Sequence, residues 1–488
     1  MRNHPLSHSL PTTRRDFVSC AALGVGGLAL TAALHDLSAA PESAPLIASP
    51  LAPKAPHFAP KAKRIIQIFC AGGPSQVDTF DPKPLLAKHD GKLVDEVVKD
   101  YAKQAIKLTG GLDGGNRLGG KLKGSPFAFQ KHGQCGMEIS ELFPKLATHA
   151  DELCVVRSMR SNSSVHGPAA NFLTTGDAFN LRPSLGAWAV YGLGSENQNM
   201  PAFVNLSERG PQVDRAYGNA FLPSWCAGTC IPTKDMTLGK MVENIRSSGM
   251  SLREQRRQID LLRDMHQRFE ARHAEATALA GRLEAFEIAF RTQMQASEVF
   301  DIAREPGHIR ELYGDTQQGR NLLLAGRLAE HGVRVVQVVH FGWDTHDRND
   351  EEHRKLAAEC DQPIHALLTD LKQRDMLKDT LILWRGEFGR TPTIDNNDAA
   401  SKKSIGRDHH PSGFTVWMAG GGARPGTVYG ATDDFGGVAI EDVVSVHDLH
   451  ATILHLLGFD HERLTYRYAG RDFRLTDVHG SVVRGLVA

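Results

Sequence analysis

The run Arg64-Ile65-Ile66-Gln67-Ile68-Phe69, continued by Cys70-Ala71-Gly72-Gly73-Pro74-Ser75, decides the fold. Apolar side chains occupy nearly every position of the run rather than every second one, so both faces of the strand must be covered. Strands buried on both faces belong to a parallel sheet layered between helices. The pattern recurs over residues 153–156, 202–204, 333–339, 380–384 and 414–418, mostly followed by a Gly-rich or polar loop and then a helical period. The expected fold class is α/β: a three-layer α/β/α sandwich with a mostly parallel central sheet. In such sheets a site forms in the loops that leave the C-terminal strand ends.

The 488-residue chain balances 56 Lys+Arg against 56 Asp+Glu. That balance gives no basis for a nucleic-acid partner or an anionic membrane surface. The 23 histidines are more informative, because imidazole is the commonest metal ligand and a frequent acid–base group. Near the start, Thr13-Arg14-Arg15-Asp16-Phe17 precedes a Gly-rich apolar run over 18–34. This pattern reads as a twin-arginine signal peptide over 1–40, which places the mature protein in the periplasm or outside the cell. The run is too mild for an anchor, so no membrane span is expected once the signal is removed. Residues 41–61, rich in Pro, Ala and Ser, read as a linker, and 62–488 as the folded domain. Cys20 leaves with the signal, and Cys226 and Cys230 either bridge or stand free. Over about 237–303 the chain turns highly charged with helical periodicity. This is read as a solvated helical insertion without chemistry of its own.

Four loops at the ends of the apolar runs carry acids and histidines beside glycines. The first holds Ser75, Asp78, Thr79 and Asp81. The second holds His340, Asp344, His346 and Asp347, and the third Glu387 and Arg390. Asp408, His409 and His410 stand just before the run 414–418. Four such loops around one sheet suit one or two divalent metal ions. Carboxylates neutralise the charge and imidazoles add nitrogen ligands, which favours Zn²⁺ or Mn²⁺ over Ca²⁺. Arg385, Arg390 or Arg160 would hold the oxygens of an anionic substrate by forked hydrogen bonds.

In this order, "GGPSQVDTFDPKP", "GWDTH", "GEFGRTP", "GRDHHPSGFTVWMAGGG" and "SVHDLHATILHLLG" resemble the exported proteins of domain-of-unknown-function family fifteen hundred and one, over roughly residues 62–488. That family is similar to the alkaline phosphatase and sulfatase superfamily, whose α/β/α core carries one or two metals. The resemblance implies an alkaline phosphatase-like domain and a ligand set, matched here by Asp344 and His346, by Glu387, by His409 or His410, and by Asp78. Plainer readings stay open beside it. Asp78 and Asp81 cap a turn, Glu387 pairs with Arg390, or His410 only packs beside Pro411. The segment Asp448-Leu449-His450-Ala451-Thr452-Ile453-Leu454 resembles a structural helix of sulfatases.

Ser164-Val165-His166-Gly167-Pro168 opens a helix. Formylglycine sulfatases carry Cys-x-Pro-x-Arg at the matching turn. Here His166 replaces the cysteine, Pro168 matches the proline and Ala170 replaces the arginine, so formylglycine cannot form there. Cys230-Ile231-Pro232-Thr233-Lys234 repeats the pattern only in part. Three roles are open for His166: a nucleophile, a metal ligand with Ser164 or water as attacker, or a helix cap. A helix N-terminus favours a bound anion and disfavours imidazolium. The expected function is an exported metal-dependent hydrolase of phosphate or sulfate esters, on small-molecule or polysaccharide substrates, with His166, Ser164 and Arg390 at the reacting centre. The alternative is a non-catalytic secreted protein of the same fold that binds a glycan or a protein partner.

Overall fold

The computed structural model describes residues 49–109, 118–208, 215–241, 250–270, 277–395 and 406–488. The expected signal peptide and the first part of the linker lie outside these residues. The strands used below are β1 (Arg64–Ala71), β2 (Leu153–Arg160), β3 (Phe203–Leu206), β4 (Thr229–Ile231), β5 (Val335–Phe341), β6 (Thr380–Arg385), β7 (Gly389–Ile394), β8 (Arg407–His410), β9 (Phe414–Ala419), β10 (Thr427–Tyr429) and β11 (Val444–Ser445). The helices used below are α1 (His166–Thr175), α2 (Leu185–Leu193), α3 (Leu252–Glu270), α4 (Thr277–Val299), α5 (Gln317–Glu330), α6 (Asn349–Gln373) and α7 (Val446–Leu456).

Strands β7 and β8 pair antiparallel as a separate ribbon. The others form one nine-stranded sheet in the order β10-β2-β9-β6-β1-β5-β3-β4, with β11 also on β2. Every pairing is parallel except those of β9, which runs against both β2 and β6. Side chains alternate across each strand, and β1 shows the result. Ile66, Ile68 and Cys70 join one core with Leu322 and Leu328 of α5 and Ile364 and Leu367 of α6. Ile65, Phe69 and Ala71 join a second core with Leu173 of α1, Trp188 of α2 and Leu449 and Ile453 of α7. Each buried Ile, Leu or Phe among these contributes about 1.5–3 kcal/mol. The chain therefore forms the expected three-layer sandwich around a mostly parallel sheet.

One face of the sheet carries a polar row inside the core. Arg385 Nη2 donates to Gln67 Oε1 (2.8 Å), and Gln337 Nε2 donates to Asn205 Oδ1 (2.9 Å). Arg385 Nη1 also donates to the Leu173 carbonyl of α1 at 3.0 Å. Burial pushes the Arg385 pKa down to about 9. The expectation that Arg385 holds a substrate anion is corrected by this placement: it braces α1 against the sheet from within the core.

Two further expectations change. The segment from Ser49 to Lys61 is not a free linker. Leu51 is buried, Lys54 N donates to Leu193 O (2.9 Å), Phe58 N to Gly458 O (3.1 Å) and Lys61 N to Leu456 O (2.9 Å). It is strapped to the ends of α2 and α7. The helical insertion is likewise not wholly solvated, because α4 places Ala296 in one core and Ile288 in the other. Cys226 and Cys230 are both free thiols.

Candidate metal centre

The loops after β2, β5 and β6 leave the same edge of the sheet. They bring His166, then Asp344 and His346, then Glu387 to that edge. Strand β9 is reversed, so its beginning lies there, and β8 just before it delivers His409. Close approach of these loops depends on Gly72, whose φ is +118°. A Cβ at that position would lie 2.3 Å from Asp344 N. Its N–H donates to the two Glu387 carboxylate oxygens at 2.9 and 3.2 Å.

Each histidine of the group has its Nδ1 against an oxygen that can only accept. His166 Nδ1 lies 2.7 Å from Glu387 Oε1, His346 Nδ1 2.8 Å from Asp395 Oδ2, and His409 Nδ1 2.7 Å from the Ser164 carbonyl. Ionised carboxylates and carbonyls donate nothing, so these Nδ1 atoms carry the proton. A ring that is neutral then carries its lone pair on Nε2, and all three Nε2 atoms converge on one carboxylate. His346 Nε2 and His409 Nε2 lie 3.0 and 2.9 Å from Asp344 Oδ1 and 2.8 Å from each other. His166 Nε2 lies 3.0 Å from Asp344 Oδ2, off the line a hydrogen bond needs. Asp408 stands behind, with Oδ1 3.9 Å from His346 Nδ1. His166, Asp344 and His409, and likewise His346, Asp408 and His409, place ligand atoms close enough to hold a metal ion. Imidazoles oriented by oxygen acceptors on their far nitrogens, facing a shared carboxylate, are a donor set that fits a zinc-type ion.

The electrostatics follow from this packing. Burial alone would lower the His166 pKa, but Asp344 and Glu387 outweigh it and hold it at about 9. His346 is raised chiefly by Asp344, whereas burial lowers His409. Burial would raise Asp344, yet three imidazoles and Arg390 hold it well below the ordinary carboxylate range. Without a metal, a proton on His166 balances the carboxylates; a divalent ion would replace it.

The remaining sequence-derived residues lie elsewhere or act differently. Asp78 is fully buried in a two-pronged ion pair with Arg407, at 2.8 and 3.0 Å, and does not join the cluster. His410 alternates with His409 along β8 and points the other way, bonding the Gly437 carbonyl. Glu387 contacts the far nitrogen of His166. Ser164 is buried and brings its backbone carbonyl to His409. Arg390 is fully buried and fans its donors into the carbonyls of Gly72, Gly73, Trp343 and Arg407 and onto Asp344 Oδ1 (2.7 Å). It ties the loops together and has little left for a substrate. Arg160 donates to the Thr109 carbonyl. Asp395, at the end of the β7 ribbon and 2% exposed, is the residue that sequence reasoning missed.

No curated protein matches the sequence. The chain is similar, at low identity, to several solved structures. The lipoteichoic acid synthase LtaP from Listeria monocytogenes aligns at 10% identity over 84% of this chain and 77% of its own, with a TM-score of 0.37. A sulfatase from Pseudoalteromonas sp., PsFucS1, aligns at 11% identity over 82% and 68%, with a TM-score of 0.34. The alkaline phosphatase from the Antarctic bacterium TAB5 aligns at 12% identity over 77% and 95%, with a TM-score of 0.30. Among the described residues no helix is long and apolar enough to cross a membrane. Residues 62–487 match the family described as "Protein of unknown function (DUF1501)", and the chain belongs to that family.

Proposed function

We propose that the chain is an exported metal-dependent hydrolase of phosphate or sulfate esters, sulfatase-like but without the formylglycine cysteine. The observation that carries this reading is the convergence of three imidazole Nε2 atoms on Asp344 at the C-terminal edge of a parallel sheet. The triads His166, Asp344, His409 and His346, Asp408, His409 would hold one or two divalent ions, with Zn²⁺ or Mn²⁺ favoured by the nitrogen-rich set. Such an ion supplies Lewis-acid polarisation of a phosphoryl or sulfuryl oxygen.

The chain's own groups do the rest. Glu387, Asp395 and the Ser164 carbonyl fix the three Nδ1 protons and so orient the rings. His166 Nδ1 is held by Glu387 and its Nε2 faces Asp344 beside the Nε2 of His409, which favours a ligand role over a nucleophilic one. Arg390 fixes Asp344 and partly offsets its charge. The first turn of α1 presents amides without intrahelical partners, a setting that favours the anionic group of an ester. This chemistry admits both small-molecule and polysaccharide esters.

The test is elemental analysis of the purified protein, followed by hydrolysis assays on p-nitrophenyl phosphate and p-nitrophenyl sulfate. Stoichiometric Zn or Mn, lost in Asp344→Ala and His346→Ala together with turnover, is the expected result. If no ion binds stoichiometrically even after soaking with Zn²⁺, Mn²⁺ and Ca²⁺, the hydrolase reading fails, and a binding protein on the same fold replaces it.

A further inference from the structure

At the far edge of the sheet, β4 and α4 enclose a cavity of about 770 Å³. None of its lining residues belongs to the histidine cluster or to the loops that carry it. Its walls are mainly apolar and include Trp225, Ile231, Ile288, Ala289 and Phe300. Cavities of about 300–1,000 Å³ with apolar walls and a few polar groups are the kind that take small molecules.

Two oxygens interrupt the apolar wall. Ser224 and Gln293 both line the cavity, and Ser224 Oγ and Gln293 Oε1 are buried atoms without a hydrogen-bond partner among the described residues. Buried oxygens are rarely left without a donor. The amide oxygen of Gln293 can only accept, so what completes it must donate. Charge narrows the choice further. Among the described lining residues Glu208 is the one that is charged, and its carboxylate already accepts from Lys234 N at 2.9 Å. An anion finds no counter-charge among these described residues.

We propose that this cavity binds an uncharged, largely apolar small molecule that carries a hydroxyl or N–H group. Its apolar body lies against Trp225, Ile288 and Phe300, and its donor reaches Gln293 Oε1. The site is separate from the metal centre and does not rest on the hydrolase reading.

N-phenyl-1-naphthylamine has the required chemistry, with two aromatic units, no charge and one N–H, and it brightens on leaving water. Titration into the full-length protein should give saturable enhancement at one probe per chain. Ala289 lies exposed on the rim, so Ala289→Trp fills the entrance and should abolish saturable binding with the thermal midpoint unchanged. Gln293→Leu keeps the walls apolar but removes the acceptor. It should weaken binding about three- to tenfold, the worth of one hydrogen bond. Metal content should be the parent's in both variants. Absence of saturable binding to the parent overturns the proposal. So does parent-like affinity in Ala289→Trp, which would put the probe elsewhere. If that variant misfolds, Gln293→Leu decides alone, and unchanged affinity there overturns the proposal.

Discussion

Replacing Asp78 by Asn separates a structural carboxylate from a metal ligand. Asp78 and Arg407 are both fully buried. Besides the two bonds from Arg407, Asp78 Oδ2 accepts from Ser75 Oγ (2.6 Å) and Asn349 Nδ2 (3.1 Å). Removing the carboxylate charge strands Arg407 in the interior, at a cost of about 3–5 kcal/mol. Unfolding entropy is about 2.1 cal/mol/K per residue. Over the roughly 440 residues from Ser49 to Ala488 that makes about 0.9 kcal/mol/K, so Tm should fall by about 3–5 °C. Metal content should stay at the parent's value. Scanning calorimetry and elemental analysis on one preparation read both quantities. The double variant Asp78→Asn/Arg407→Met removes both charges and should regain most of the loss, because buried pairs are often replaced by apolar groups at little cost. An Asp78→Asn protein with parental Tm and no metal would refute this reasoning and return Asp78 to the ligand set.

Three further outcomes are expected. Asp395→Asn should weaken metal binding about 10- to 100-fold by freeing the His346 ring; chelator competition measures it, and unchanged affinity would show that the Asp395 contact is idle. Gly72→Ala would place a methyl group 2.3 Å from Asp344 N at a φ of +118°. It should lower both Tm and metal content, and a parental value for both would mean the loops have room to part. For Glu287, burial would raise the pKa, but Arg256, Arg291 and Arg263 hold it at about 2 against an ordinary 4.5. Its contribution is therefore full above about pH 4.5 and is lost as pH falls through about 2. Proteolysis of the α3–α4 pair should rise across that window in the parent and less steeply in Glu287→Gln; identical pH profiles would count against the arginine cluster.

The layered fold was legible because strands covered on both faces must be apolar at nearly every position, and these runs are too short and too β-branched for buried helices. The site was legible in its loops: Asp344, His346, His409, Glu387 and His166 all occur beside glycines at strand ends. What escaped was pairing at a distance. Asp78 looks like a ligand until Arg407 is found against it, 329 residues along the chain. Arg390 looks like a free cation, because backbone carbonyls that consume its donors leave no trace in the sequence. Asp395 has no glycine beside it and no motif around it; only the ribbon that β7 forms with β8 carries it to His346. The choice between His409 and His410 did have a signal, since neighbouring residues of a strand point to opposite sides.

The place of β9 has a consequence for how the molecule is made. Every sheet neighbour of β2, namely β9, β10 and β11, lies C-terminal to residue 413. A growing chain can pair β1, β3, β4, β5 and β6 among themselves, but β2 waits, and α1 and His166 wait with it. Long-range pairing of this kind is slow and comes late. The half of the cluster on β5 and β6 and the half on α1 and β8 therefore meet only after ribosomal synthesis has passed residue 419. An ion held by the full donor set would be captured only as a closing event of assembly, and would then come from the compartment where the chain folds.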